Sequence, residues 1–512
     1  MEDKKYLTRK NYITFPLAGM GLNFMGSFVN TVILIFYTEI LLAPYKEIIP
    51  IFVVISVITV CVNLFDAVND PFMGMIIDRT RTRFGKIRTF LLITIIPISL
   101  MTVVLFLAPA NASLGAILAF IVITYFVQST VYSFCDVPMA GMSAAITPNP
   151  DERVTFITVV RIIGPIGAAL PLVAITIYQW IVKIPPATDP YWAETGLSWA
   201  TAITQRNIIL AIVAGVVGGA LYSLAFFGNR ERVDVLKQAP PKFKENFKII
   251  AENKPALLFL FSNILGALRP LAAFMAGYVA LGMFGNDADL VWLNALWAFP
   301  GFAFVFFNPK IYKKMGGKKM YLTLTFAGAS LCIIFGIIGI AGGLAVFGSF
   351  AFLMIYMLFT GIPFSMVSNI NGVLLAETVD YMEWKTGKRT DAVTMSLSTS
   401  LMKFTGAIQM GIALLALQVI RWVPVGSLNY AGQSKATLTG LFVIISIVPA
   451  LAWILSAIPM FFYKFYGAER ERIYKELSER RAEIAKNEED AVKTTEVAPQ
   501  EALAESATHN ES

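Results

Sequence analysis

A chain of 512 residues that is 56% hydrophobic and only 15% charged, with a mean hydropathy of +0.66, carries more apolar surface than a water-soluble fold can hide. That excludes a soluble globular protein, and the length excludes one held by a few anchors. The net charge of +7 does not point to nucleic acid, because the basic residues gather in short segments between apolar runs.

At roughly 20 apolar residues per crossing, twelve spans fit: residues 16–41, 49–77, 89–109, 114–146, 155–182, 207–228, 255–284, 289–309, 320–342, 345–375, 393–421 and 437–463. The runs lack the alternation of barrel strands, so an all-α membrane protein is expected. The opening MEDKKYLTRKNY shows no short apolar core with a small-residue cleavage site, and no cleaved signal peptide is expected. With the N-terminus inside, segments 1–15, 78–88, 148–154, 229–254, 310–319 and 376–391 hold 25 lysines and arginines. The opposite segments hold only Lys46, Lys183, Arg206, Arg421 and Lys435. This bias predicts both termini in the cytoplasm and a multi-pass protein of the cytoplasmic (inner) cell membrane.

The second span carries the strongest chemical signal. Asp66 and Asp70 stand four residues apart, on one helical face, with Asn69 beside them and Pro71 following. One carboxylate in hydrocarbon costs at least about 2.5 kcal/mol and two repel each other, so the pair predicts a cation-binding site that drives transport. A fixed ion-pair network is the alternative. Repulsion within the pair lets a proton substitute for Na⁺. The basic loop 79–88 serves as a positive-inside anchor; Asp78 and Arg79, where the span meets it, are further read as a gate that holds the inner face closed.

In the fourth span Ser129, Ser133 and Asp136 fall on one face, and Pro138 loosens the helix. Hydroxyl, amide and carboxylate oxygens suit a hard monovalent cation, which makes Asp66, Asn69, Asp70 and Ser133 the expected cage. At 1.5 Å per residue Asp66, Asp136 and Lys403 fall near mid-bilayer and Arg161 nearer the inner face, so acids of spans two and four can meet a base on span eleven. Arg161 and Lys403 are read as counter-ions or as substrate contacts. Arg269, before Pro270 in span seven, is read as a substrate contact, with helix pairing or snorkelling as the alternative.

Residues 229–254 divide the spans six and six, giving bundles at 1–228 and 255–465 and a cytoplasmic middle loop. Asp70-Pro71 leading to Gly85-Lys86, and Asn308-Pro309 leading to Gly317-Lys318, read as a diverged repeat. The tail, 466–512, is read as a short surface helix followed by disorder, with a solubilising role. Cys61, Cys135 and Cys332 lie in apolar spans without metal-type spacing and are read as packing residues. His509 is the single histidine, in the tail, which leaves no histidine catalysis or ligation within the spans. No nucleophile–base pair stands out, so an enzyme is not expected.

The run Phe65-Asp66-Ala67-Val68-Asn69-Asp70-Pro71, then Gly74, Asp78-Arg79-Thr80-Arg81-Thr82-Arg83 and Gly85-Lys86, resembles the glycoside-pentoside-hexuronide:cation symporters, the melibiose-permease-like branch of the major facilitator superfamily. Tyr37-Thr38-Glu39, Asp136-Val137-Pro138, Glu152-Arg153 before Arg161, and Glu377-Thr378-Val379-Asp380-Tyr381 through Lys385 extend the likeness in the same order. The resemblance implies two six-helix bundles, a cation at Asp66 and Asp70 with Asn69 and Ser133, and sugar contacts at Asp136 and Arg161. It makes Lys403, with Thr399 one turn before it, the link between the two sites, and Glu152 and Arg153 join Asp78 and Arg79 as the inner gate. Asn23 takes the place of a sugar-binding acid, and Ala140 and Ser368 take the places of stacking tryptophans. These departures argue against an α-galactoside, and with Arg269 they point toward an anionic sugar.

The expected activity is symport of a sugar or glycoside with Na⁺ or H⁺ by alternating access, by a monomer, without a cofactor. A Na⁺-coupled carrier of lysophospholipid-like lipids and a non-transporting sugar sensor on the same scaffold are the alternatives.

Overall fold

The computed structural model describes residues 6–109, 112–147, 149–232, 253–304, 307–387, 391–427, 430 and 432–481. The side chains of Asp78, Arg153 and Thr399, three of the expected site residues, lie outside the description, as does His509. The described residues are helical, with no strand among them.

In chain order the principal helices are α1 (Arg9–Ile35, running on as a wider turn through Leu41), α2 (Ile51–Arg79), α3 (Lys86–Val104), α4 (Leu114–Ala145), α5 (Pro150–Ile163 and Ile166–Val182) and α6 (Trp199–Gly228). In the second half come α7 (Lys254–Leu265, continuing in short turns to Phe284), α8 (Leu290–Phe304), α9 (Gly317–Gly342), α10 (Phe350–Thr386), α11 (Asp391–Val419) and α12 (Lys435–Phe461). A last helix, α13, covers residues 467–481.

Among the described residues nine helices are long and apolar enough to cross a membrane. Three shorter apolar stretches, Ile51–Asp66, Lys254–Leu265 and Leu290–Gly301, fall where the sequence predicts spans two, seven and eight. The first belongs to a helix that runs on through both acids to Arg79, and in α7 Pro270 withdraws an N–H and breaks the helix after Leu265. Ile96, Leu100, Ile181, Val216, Ile337 and Val419 stand exposed on the helix flanks, an apolar belt that suits lipid.

Local sequence sets the helix ends. Ser113 Oγ accepts the Ala116 N–H of α4, Asn253 Oδ1 accepts the Ala256 N–H of α7, and Ser434 Oγ accepts the Thr437 N–H of α12. Gly85, at φ +107°, turns the chain into α3, whose first amides at Lys86, Ile87 and Arg88 donate to the Glu231 carboxylate at 3.3, 2.8 and 2.8 Å. In the first half α1 packs on α6 and α5, and α2 on α4; in the second, α9 packs on α12 and α10, and α8 on α10. Gly21 lets α1 meet α6 backbone to backbone, since a Cβ there would stand 2.5 Å from the Gly218 carbonyl oxygen.

The apolar cores show how the halves meet. At the end of the molecule that holds Glu39, one continuous core takes Ile33, Leu42, Phe52 and Ala211 from the first half and Met275, Leu293, Leu417 and Phe442 from the second. At the opposite, basic end the cores are separate: Phe15, Leu91, Met142 and Tyr222 in the first half, Met320, Tyr321, Leu374 and Trp453 in the second. The halves are therefore closed on each other at the Glu39 end, and among the described residues no common core joins them at the basic end.

Three sequence readings change. Arg206, expected in a loop, lies within α6, fully buried, its guanidinium donating to Asn207 Oδ1 at 3.2 and 3.0 Å. Cys61 is exposed rather than packed, while Cys135 and Cys332 are buried. The short helix expected at the start of the tail is present as α13 but docks rather than standing on the surface: Ile473 and Leu477 are buried, and Arg470 Nε pairs with Glu377 Oε1 of α10 at 2.8 Å, while residues 482–512 lie outside the described residues.

Candidate functional site

Helical spacing brings the central side chains together. α2 presents Asp66 and Asp70 one turn apart, α4 presents Ser129 and Ser133 one turn apart, and α11, which packs along α2, presents Lys403. Ser129 Oγ donates to Asp66 Oδ1 at 3.0 Å. Ser133 Oγ lies 2.7 Å from Asp66 Oδ1 and 2.9 Å from Asp70 Oδ1. Lys403 Nζ stands 3.0 Å from Asp66 Oδ2 and pairs directly with Asp70 Oδ2. The three charged side chains keep 19 to 25% of their surface, so water reaches them.

Two deficits remain. Two carboxylates and one ammonium leave a formal charge of minus one within a membrane-spanning region, and the single Ser133 proton cannot serve both acids. One monovalent cation, or one proton, removes both deficits. Lys403 occupies part of the position that such a cation would take.

The remaining expected residues divide. Asn69 is buried beside the acids, its Nδ2 without a hydrogen-bond partner. Asp136 follows Ser133 by three residues on the same face of α4 and is exposed, and Arg161 of α5 is exposed as well. Charged groups exposed at membrane depth face a wet cavity rather than lipid. Asp136 forms no ion pair with Lys403, so of the acids on spans two and four only those of span two meet the base of span eleven. Asn23 spends its amide N–H groups on Gly19 O at 2.9 Å and Gly164 O at 3.2 Å, which ties α1 to the break in α5 and leaves its carbonyl oxygen for a ligand.

Arg269 does not face the cavity. It is buried, with Nε donating to Gly266 O at 3.1 Å and one terminal nitrogen to Ser262 O at 3.3 Å and to the Tyr321 hydroxyl at 3.1 Å, and it stacks over Trp453. Pro270 has no N–H to give the Gly266 carbonyl, which accepts the Arg269 amide and guanidinium instead, while Ser262 O keeps the Gly266 amide and takes the guanidinium as a second donor. This removes Arg269 from the substrate set.

Glu152 also differs from its expected gating role. Its carboxylate accepts the Tyr6 and Leu7 amides and the Thr147 hydroxyl at 2.8 to 3.2 Å, all within the first half. Burial pushes its pKa up, but these donors and Arg232 pull it net below the usual carboxylate value. Arg79 is exposed at the end of α2.

Sequence reasoning passed over the contact that closes the Glu39 end. The buried Glu39 carboxylate accepts the Trp422 indole N–H at 3.1 and 3.2 Å and the Val425 amide at 2.8 Å, while its backbone oxygen accepts the Gly426 amide at 2.8 Å. The Thr38 and Tyr278 hydroxyls meet at 3.0 Å beside it. The signal was one acid in the apolar run FYTEILLA.

An all-helical scaffold of this kind, with charged groups held between two halves closed at one end, defines a multi-pass membrane transport protein. The chain belongs to the family described as MFS/sugar transport protein, whose profile matches residues 14–466. It is 27% identical over 464 residues to an isoprimeverose transporter of Lactiplantibacillus pentosus, covering 88% of each chain. It is 23% identical over 438 residues to a glucuronide carrier protein homolog of Escherichia coli (strain K12), covering 82% of this chain and 86% of that one. Among solved structures, a bacterial homolog of the human lysosomal transporter Spinster in an inward-facing, unoccupied conformation superposes with a TM-score of 0.55 at 12% identity, covering 89% of this chain and 99% of that one.

Proposed function

We propose that this protein is a secondary active transporter that carries a sugar or glycoside together with Na⁺ or H⁺ by alternating access, as a monomer in the cytoplasmic membrane. The observation that carries this reading is the charge count at Asp66, Asp70 and Lys403, one positive charge short of neutrality around a shared hydroxyl. A resident ion pair would not need the extra carboxylate; a travelling cation does.

In this mechanism the cation binds Asp66 and Asp70, with Ser133 and Asn69 beside them, and weakens their hold on Lys403. The released ammonium turns to a substrate hydroxyl in the cavity bordered by the Asn23 carbonyl, Asp136 and Arg161, with Thr399 one turn before the lysine. Cation binding and substrate binding then support each other, and by linkage each raises the affinity for the other equally. With the basic end in the cytoplasm, as the positive-inside bias supports, the closed Glu39 end faces outside and the conformation is inward-facing. The isoprimeverose and glucuronide relatives support a glycoside substrate.

The test is counterflow in proteoliposomes with a panel of neutral and acidic glycosides, each run with and without Na⁺ and with and without a pH gradient. At least one glycoside exchanges, and one of the two ions stimulates it. Exchange indifferent to both ions, or full stimulation retained in both Asp66→Asn and Asp70→Asn, overturns the reading.

A further inference from the structure

A second polar space opens beside Asp66, lined by the Ser129 that donates to its Oδ1 and not by Lys403. It is a chamber of about 150 Å³ between α1, α2 and α4, lined by Asn30, Asn63, Asp66, Gln128, Ser129 and Tyr132 over a floor of small and apolar residues. Its volume holds about five waters and falls below the range of pockets that enclose organic ligands, which run from roughly 300 Å³. The one formal charge on its wall is the Asp66 carboxylate, whose Oδ1 is held by Ser129, itself a chamber residue.

The wall is rich in oxygen. Gln128 is 4% exposed, and its Oε1 is buried without a hydrogen-bond partner. A half-turn of that amide exchanges oxygen and nitrogen at the wall. Asn63 uses its Nδ2 on Thr59 O at 2.8 Å, which leaves its carbonyl oxygen available. Asn30 is the single exposed position between residues 14 and 43 of α1 and its extension. An exposed amide at that depth is tolerable only where water or an ion reaches it.

We propose that this chamber, which Lys403 does not line, is a holding site for a partly hydrated monovalent cation beside Asp66. The inference rests on the symport reading and goes beyond it. In the state described here Lys403 covers the Oδ2 atoms of both acids, so a cation approaching from the central cavity meets an ammonium. From the chamber it approaches Asp66 through neutral oxygens, keeps some of its water, and draws the carboxylate away from Lys403. The chamber thus separates arrival of the cation from its capture between the acids.

The test is direct binding of radiolabelled Na⁺ to the purified full-length protein in choline buffer, with thermal unfolding in the absence of Na⁺ as the check on folding. Gln128→Leu removes an oxygen at constant bulk and raises the half-saturating Na⁺ concentration about tenfold. Gln128→Glu adds a second carboxylate and lowers it several-fold. A cation held only between Asp66 and Asp70 also feels the added charge of Gln128→Glu, so the decision rests on Gln128→Leu, which changes no charge and leaves Na⁺ binding unaltered if the chamber holds no cation. Na⁺ binding unchanged in Gln128→Leu overturns the proposal, as does a change confined to the glycoside half-saturation. Asp70→Asn, which lies outside the chamber, distinguishes the two readings. If it abolishes Na⁺ binding while Gln128→Leu binds as the unmodified protein does, the acid pair stands and the chamber falls. If the unmodified protein binds no Na⁺ yet its uptake follows a pH gradient, the chamber falls and symport stands. If neither ion has any effect, both fall.

Discussion

Glu39 of α1 and Trp422 of the segment before α12 are joined by a carboxylate-to-indole hydrogen bond at 3.1 and 3.2 Å, both side chains buried. The same carboxylate holds the Val425 amide, so one acid closes the Glu39 end. Glu39→Ala strands two buried donors at about 1–3 kcal/mol in the closed state, and the equilibrium moves toward opening at that end. Spin labels at positions 47 and 435 should show a longer distance in the variant; an unchanged distribution would dismiss the clamp.

Lys403→Gln leaves two carboxylates with no ammonium between them. The variant should be less stable than the unmodified protein in choline, and a larger share of its stability should return when Na⁺ is added or the pH is lowered. Thermal unfolding across a Na⁺ series reads this directly. Equal Na⁺ response in variant and parent would show that lysine and cation do not compete for the same oxygens.

Arg269→Leu should lower the unfolding temperature and leave the glycoside half-saturation of the folded fraction unchanged. Hydrogen bonds from a charged group are worth about 1.5–3 kcal/mol each. Arg269→Lys should rescue little, since an ammonium cannot span Gly266 O, Ser262 O and the Tyr321 hydroxyl with one fixed fork. A rise in half-saturation with normal stability would return this residue to the substrate site.

Glu152 carries a pH prediction. Its folded pKa is lowered, so its contribution to stability is fully present above the unfolded value, near 4.5, and is lost as the pH falls through the folded value. Hydrogen exchange at the Tyr6 and Leu7 amides should accelerate over that acidic window and not at neutral pH. In Glu152→Gln the acid-dependent step should vanish.

Removal of α13, by ending the chain at Phe465, leaves the Glu377 carboxylate, 5% exposed, without Arg470. The carboxylate keeps the Tyr312 hydroxyl but loses its counter-charge, a loss that approaches about 3–5 kcal/mol only where the acid stays buried. The truncated protein should unfold at lower temperature, and Glu377→Gln should restore much of the loss. If truncation is silent, α13 is surface decoration.

The sequence carries the helix order well because hydropathy and helix breakers act locally. α4 ends within one residue of its expected bound, and α12 begins and ends within two. The meeting of Asp66, Asp70 and Ser133 was legible because spacing along two helices fixes which side chains share a face. Partners fixed by tertiary packing were not legible. An arginine before a proline reads alike whether it faces a cavity or caps its own broken helix, and only the neighbours Tyr321 and Trp453 decide. Glu152 and Arg470 likewise depend on where a chain terminus returns.

The shared apolar core at the Glu39 end gives the conformational change a thermal signature. Separating Leu42 and Phe52 from Met275 and Leu417 hydrates apolar surface, so opening there should carry a positive heat-capacity change, as a small unfolding reaction does. Hydrophobic attraction weakens on cooling. Cold should therefore favour the state open at that end, and the opening equilibrium, plotted against reciprocal temperature, should curve.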